Sequence, residues 1–176
     1  MQLFKKKKPS LRSILFVCTA NITRSPTAEY LFREEANKSK EIWEVASAGA
    51  NTMKGLSANP VISVIMFRRN KSIKNHRSQV VSKKLLLRYH WIIVMEDKHR
   101  EALLKLDKSI ANRIFLFREL TGNNQLESRD MPDPTGKDVD DYRQLFSIFE
   151  IEISLLFQIM KDKVNEAETE NYGFYD

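Results

Sequence analysis

The chain has 176 residues, of which 42% are hydrophobic and 30% charged, with a net charge of +6 and a single cysteine. That length suits one domain with a sizeable core, and the composition is ordinary for a globular protein. No apolar run approaches the roughly 20 residues of a membrane span, and one cysteine excludes an internal disulfide and a CxxC redox pair.

Residues 1–11 read as a basic, solvated tail, because the lysine cluster has no apolar stretch behind it as a signal peptide would. Residues 13–17 form a short apolar run of the kind a parallel sheet buries on both faces. A helix is expected over 26–37, with Ser25 as N-cap and Pro26 in the first position. Ala28, Leu31, Phe32 and Ala36 share one side of it. A second strand is expected over 42–46, ending at Ser47-Ala48-Gly49. Asn59-Pro60 starts a helix to about residue 69, presenting Val61, Val64, Ile65 and Phe67. A short helix over 82–88, a strand over 91–95, a helix over 97–106 and a strand over 113–117 follow. Residues 121–138 are a Gly-, Asn-, Asp- and Pro-rich loop. The last helix spans 139–163, with a core stripe of Tyr142, Leu145, Phe146, Phe149, Ile153, Leu156 and Met160. Residues 164–176 read as an acidic, disordered tail, which leaves 12–163 as the domain.

Strands alternating with helices imply an α/β fold with a parallel sheet and right-handed crossovers. Ligands of such sheets bind beyond the carboxyl ends of the strands. Cys18, Ser47 and Glu96 each follow an expected strand, which places them on one rim. The charge is also uneven. Residues 45–95 contain no acidic residue but many lysines and arginines, a solvated basic face or a field for acidic or phosphorylated partners. No nucleic-acid motif accompanies it.

The stretch ILFVCTANITRSPT (14–27) carries the chemistry. A thiol between a strand end and a helix N-terminus lies in a field that favours the thiolate. The loop amides can nest a tetrahedral oxyanion, and the planar fork of Arg24 can hold two of its oxygens. A phosphate seated there suits in-line attack by sulfur and a cysteinyl-phosphate intermediate. The departing oxygen needs an acid, and DMPDPTG offers Asp130 and Asp133, although turn chemistry alone also explains an Asp-Pro pair.

VCTANITRSPTAEYLF closely resembles the active-site stretch of the low-molecular-weight protein tyrosine phosphatases, C-x5-R-S followed by Pro. SAGA (47–50), NHRSQ (75–79), IIVMEDKH (92–99) and MPDPTG (131–136) resemble that family's later segments in the same order. The resemblance implies a three-layer α/β/α fold with a four-stranded parallel sheet. It also implies hydrolysis of phosphate monoesters without metal or cofactor, and with nothing in the sequence pointing to export a cytoplasmic setting is the default expectation. Carried over by position, Cys18 is the nucleophile, Arg24 the phosphate clamp and Asp133 the general acid. Thr19, Ala20, Asn21, Ile22, Thr23 and Ser25 complete the phosphate-binding loop, with Ser47 and His76 as its support. His90 and His99 are read as structural.

Several positions depart from the family pattern. Thr23 replaces a cysteine that many relatives carry, so Cys18 has no local partner for a disulfide. Ala20 replaces a glycine, which is unfavourable by about 1 kcal/mol if that position needs positive φ. Thr135 and Gly136 replace aromatic residues, and Met53 stands roughly where another aromatic wall is common, so the substrate cleft is expected to be shallower. The implied partner is a phosphotyrosine protein such as a bacterial tyrosine kinase of polysaccharide production. Neither nucleic acid nor membrane insertion is expected, and the chain is expected to be a monomer or weak dimer. The alternatives are a low-activity phosphoprotein-binding module and a phosphatase for another phosphate ester. Too few cysteines remain for an arsenate reductase, and Ile22 favours aryl phosphates over phosphoarginine, where relatives tend to have Thr.

Overall fold

A computed structural model describes residues 8–122 and 128–172. Four parallel strands, β1 (Ser13–Cys18), β2 (Glu44–Gly49), β3 (Trp91–Val94) and β4 (Ile114–Leu116), form one sheet in the order β2-β1-β3-β4. Helices α1 (Arg24–Lys38), α2 (Pro60–Phe67), α3 (Lys83–Arg88), α4 (Asp97–Leu106), α5 (Phe117–Leu120) and α6 (Val139–Tyr172) cover it, with a 3-10 turn over Lys108–Arg113. The layers are those of an α/β/α sandwich, as expected.

β1 pairs with strands on both sides and all six of its residues are buried. Its alternate residues feed two cores, because successive side chains of a strand point to opposite faces. Ile14, Phe16 and Cys18 pack with the core under α1, α2 and α6. Leu15 and Val17 pack with Leu86, Leu103 and Ile110 on the other face. The thiol therefore belongs to the α1 side of the sheet, at the strand's carboxyl end. Every residue of the α6 stripe named above is at most 5% exposed, and Phe149 meets Phe117 edge-on at 5.4 Å between ring centroids.

Four expectations are corrected. α1 begins at Arg24 with Thr23 as N-cap, so Ser25 lies inside the first turn and Pro26 occupies a position whose N–H has no helical partner in any case. β2 runs three residues further than expected, to Gly49, so Ser47 lies within the strand. Small residues let the strand end press against the loop after β1: a Cβ on Gly49 would stand 2.8 Å from the Thr19 carbonyl oxygen. α2 buries Ile62 and Met66, while Val64 and Phe67 are exposed. This helix is apolar all round, so its sequence pattern does not single out a core face.

The fourth correction concerns the end of the domain. α6 continues past Lys163 to Tyr172, so residues 164–172 are helical rather than disordered. Val164 is fully buried and Glu168 pairs with Arg12, which holds that last stretch against the start of β1. Lys161 also pairs with Glu41 at 2.9 Å. Most of the basic tail, residues 1–7, and the last four residues of the acidic tail lie outside the described residues. Leu11, counted in the tail, accepts a hydrogen bond from Trp91 Nε1 at 2.8 Å.

Replacing Val164 by Ala should lower unfolding stability by about 2 kcal/mol, the usual scale for removing buried methyl groups. Urea denaturation checks this, and a change below about 0.5 kcal/mol would show that the segment beyond Lys163 is not docked.

Candidate active site

The site is built on the loop between β1 and α1. Cys18 ends the strand and is 3% exposed. Its Sγ lies 3.0 Å from Ser25 Oγ and accepts a hydrogen bond from the Asn21 amide at 3.3 Å. Ser25 reaches the sulfur because it sits in the first turn of α1, where its hydroxyl faces back along the helix axis.

Asn21 has φ +55°, a left-handed conformation that asparagine tolerates better than most residues. The positive φ falls there and not at Ala20, so the expected strain at Ala20 does not arise. Asn21 Nδ2 donates to Ser25 Oγ at 2.9 Å and to Ser47 Oγ at 2.8 Å. Its Oδ1 accepts from the Gln79 amide at 2.9 Å, and its backbone carbonyl lies 2.6 Å from His76 Nε2. Ser47 in turn donates to Glu29 at 2.6 Å. Ser47 and His76, expected as support, thus both touch Asn21. Glu29 and Gln79 extend the same network and were not among the expected site residues. A polar cavity of about 300 Å³ lies behind this network, lined in part by Glu29, Ser47, His76 and Gln79. Cys18, Arg24 and Asp133 are not among its lining residues.

Backbone contacts hold the rest of the loop. The Thr19 carbonyl accepts from the Asn51 amide at 3.0 Å, and the Ile22 carbonyl from the Asn59 amide at 2.8 Å. The Thr23 carbonyl accepts from Thr27 Oγ1 at 2.7 Å. Thr52 Oγ1 donates to the Ala20 carbonyl at 2.7 Å, which ties the loop to the segment carrying Met53. Met53 itself is 70% exposed.

Arg24, 2% exposed, brings the remaining groups together. Its Nη2 contacts Asp133 Oδ2 at 2.5 Å, while its Nη1 contacts Glu96 Oε1 at 2.6 Å and the Met131 carbonyl at 3.2 Å. Asp133 Oδ1 accepts from the Thr135 amide at 3.0 Å. Thr135 and Gly136 are exposed, so no wall rises there. Asp130 is separated from this cluster, because its carboxylate caps α4 by accepting from the Asp97 amide at 2.9 Å. Asp138 similarly caps α6. Of the two candidate acids, only Asp133 reaches Arg24.

Burial pushes the Asp133 carboxyl up, but the Thr135 hydrogen bonds and the Arg24 guanidinium outweigh it and hold it below the usual range. Burial likewise opposes the charge on Glu96, and Lys98 and Arg24 overcome it. Burial pushes His99 down to about 4, assisted by Arg24 and Lys98 and opposed by Glu96 and Asp133. His99, read from the sequence as structural, sits with its Nε2 2.8 Å from Thr19 Oγ1. Glu96 was placed on the rim by the sequence, but nothing there pointed to its pairing with Arg24. The quoted segment IIVMEDKH contains both residues, and their spacing of three on a helix start was the available signal.

The basic stretch 45–95 is partly neutralised from elsewhere. Lys71 pairs with Glu34, Lys83 with Asp107, Arg88 with Glu44 and Arg69 with Glu150. Among the described residues no group of acidic, His and Cys side chains could hold a metal ion, and no helix is long and apolar enough to cross a membrane.

A parallel α/β sheet with a thiol, an arginine and a carboxylate converging on one strand end defines a cysteine-dependent phosphatase. The family model described as low molecular weight phosphotyrosine protein phosphatase matches residues 13–166, and the chain belongs to that family. It is 31% identical to the low molecular weight protein-tyrosine-phosphatase Wzb of Salmonella typhi over 137 residues, covering 78% of this chain and 86% of that protein. The crystal structure of the tyrosine phosphatase AmsI of Erwinia amylovora is similar with a TM-score of 0.74 at 28% identity, covering 89% and 96% of the two chains. A YwlE mutant of Bacillus subtilis gives a TM-score of 0.78 at 26% identity, covering 85% and 98%. A YwlE arginine phosphatase with a phosphorylated active-site serine gives 0.78 at 25% identity, covering 85% and 95%.

His99 also makes a pH test. Above pH 6.5 the imidazole is neutral in both folded and unfolded chains. As pH falls towards 4, the unfolded chain gains the proton first, so the stability tied to neutral His99 is lost across that window. The expected loss from this residue at pH 5 is about 2 kcal/mol. Urea midpoints at pH 7.5 and pH 5 should differ less in His99→Gln than in wild type, and equal differences would contradict the burial of a neutral ring.

Proposed function

We propose that this chain hydrolyses phosphotyrosine in proteins through a phosphoryl group carried on Cys18. The observation that carries the reading is the placing of the sulfur, with Ser25 Oγ and the Asn21 amide as its partners, in the same loop as an Arg24 fork that reaches Asp133. Sulfur attacks phosphorus in line, the ester oxygen leaves with a proton from Asp133, and water then cleaves the S–P bond with Asp133 as base. Arg24 and the loop amides balance the charge on the transferring group.

Asp133 is held below the usual range by its resting partners, which is the wrong state for an acid. Substrate binding reverses this. A phosphate dianion competes for Arg24, withdraws the cation from Asp133 and brings negative charge beside it, and both effects favour the protonated carboxyl. Glu96 keeps the other arm of Arg24 aligned throughout.

Support for phosphotyrosine comes from the family and from the names of its relatives Wzb and AmsI. A cytoplasmic setting is kept as the default expected from the sequence. A tyrosine kinase serving polysaccharide production is the kind of phosphoprotein we assign as its target, on the family's habits alone. The second reading is phosphoarginine, favoured by the similarity to an arginine phosphatase structure. Ile22, half-buried in the loop, weighs against it. The exposed Met53 and Thr135 give no deep aromatic slot for either substrate.

Wild type should hydrolyse an aryl phosphate, and peptides carrying phosphotyrosine faster than those carrying phosphoserine or phosphoarginine. Cys18→Ser should abolish turnover while retaining phosphate binding. Asp133→Ala should slow esters with poor leaving groups by about a hundredfold or more and good ones much less. A wild type that binds phosphopeptides without turnover would be a binding module instead.

A further inference from the structure

His99 reaches the phosphate loop from α4, and the steps above leave it without a task. Its ring is 2% exposed. Nε2 lies 2.8 Å from Thr19 Oγ1 and 3.7 Å from Glu96 Oε1. The same Glu96 oxygen contacts Arg24 at 2.6 Å. The Thr19 hydroxyl, the imidazole and the Arg24 fork therefore share one side of the loop, next to Cys18. Nδ1 is buried with no hydrogen-bond partner.

That orphan nitrogen decides how the Thr19 hydroxyl points. The ring is neutral near pH 7, so it carries one proton. A proton on Nδ1 would leave a buried N–H without an acceptor and would make Nε2 an acceptor, drawing the Thr19 O–H towards His99. Buried orphan N–H groups are rare and unfavourable. A proton on Nε2 avoids this, leaving only a bare lone pair at Nδ1 and aiming an N–H at Thr19 Oγ1, with the Glu96 carboxylate nearby. The hydroxyl oxygen then accepts, and its own hydrogen is directed elsewhere.

We propose that His99 is a positioning residue for phosphoryl transfer: by donating from Nε2 to Thr19 Oγ1 it leaves the Thr19 hydroxyl free to donate to a phosphoryl oxygen seated over Cys18. The proposal rests on reading the loop as the phosphate cradle. It adds a neutral side-chain donor, beside Arg24 and the loop amides, where negative charge accumulates.

The test uses the whole chain and three variants with an aryl phosphate near pH 7. Thr19→Val keeps the shape and removes the hydroxyl, so kcat should fall roughly tenfold with KM little changed. His99→Phe should lower kcat by a similar factor, and the double variant should be no worse than either single one, because the two act as a unit. His99→Gln, whose amide N–H can still donate, should recover most of the loss. The histidine nitrogen NMR spectrum of the wild type should show Nε2 protonated and Nδ1 bare. A proton on Nδ1, an unchanged kcat in Thr19→Val, or effects of Thr19→Val and His99→Phe that multiply would each overturn the proposal. Thr19→Val does not touch the α4 core, so it decides the matter even if His99→Phe folds poorly. A wild type without turnover would instead remove the phosphatase reading beneath it, which the nitrogen spectrum does not address.

Discussion

The structure of the site depends on one residue held in an unusual backbone conformation. Asn21 has φ +55°, and Ser25, Ser47, Gln79 and His76 all hydrogen-bond to it. A left-handed residue turns the loop back over Cys18, so its amide points at the sulfur. Asparagine makes the turn affordable and supplies both a donor and an acceptor to lock it. The partners come from α1, from β2 and from the segment after α2, so three parts of the chain must be in place before the loop has its shape. The parallel sheet, with small residues at the end of β2, is what brings them there.

The second constraint is charge balance around Arg24. A guanidinium that is 2% exposed is stabilised only if it is paired. Glu96 and Asp133 pair with it, at 2.6 and 2.5 Å. Glu96 comes from the end of β3 and Asp133 from the loop before α6, so the same ion pairs stitch distant segments to the cradle. In the proposed reaction a phosphate dianion would compete with Asp133 for Arg24. On that proposal, binding and acid activation are one event, driven by the competition of two anions for a single cation.

The sheet and the placement of the cysteine loop were legible because they follow simple periodic or positional rules. The apolar run of β1, the strand–Cys–loop–helix order and the seven-residue stripe of α6 all read correctly from local pattern. Family resemblance picked out Arg24 and Asp133, and the structure brings them together at 2.5 Å. Less legible were features set by tertiary contact. Ser25 looked like an N-cap but lies within the helix, with its hydroxyl turned to the sulfur. β2 was placed too early because the aromatic and branched residues at 42–43 outweighed the small ones that enter the sheet, and Ile42 is 90% exposed. Glu96 was placed on the rim, but its pairing with Arg24 and the contact of His99 with Thr19 were not legible, since those partners lie about 70 to 80 positions away in sequence. The helical stretch beyond Lys163 was hidden by its acidic composition, which outweighed the single buried valine that anchors it.

The central claim is that Cys18 carries the phosphoryl group. It is tested most directly by acid-quenching the Asp133→Ala variant during turnover of an aryl phosphate and locating the adduct by mass spectrometry. Loss of the base that activates water should let the intermediate accumulate, with the phosphoryl group on the peptide that contains Cys18. An adduct on any other residue, or turnover surviving in Cys18→Ser, would contradict the account.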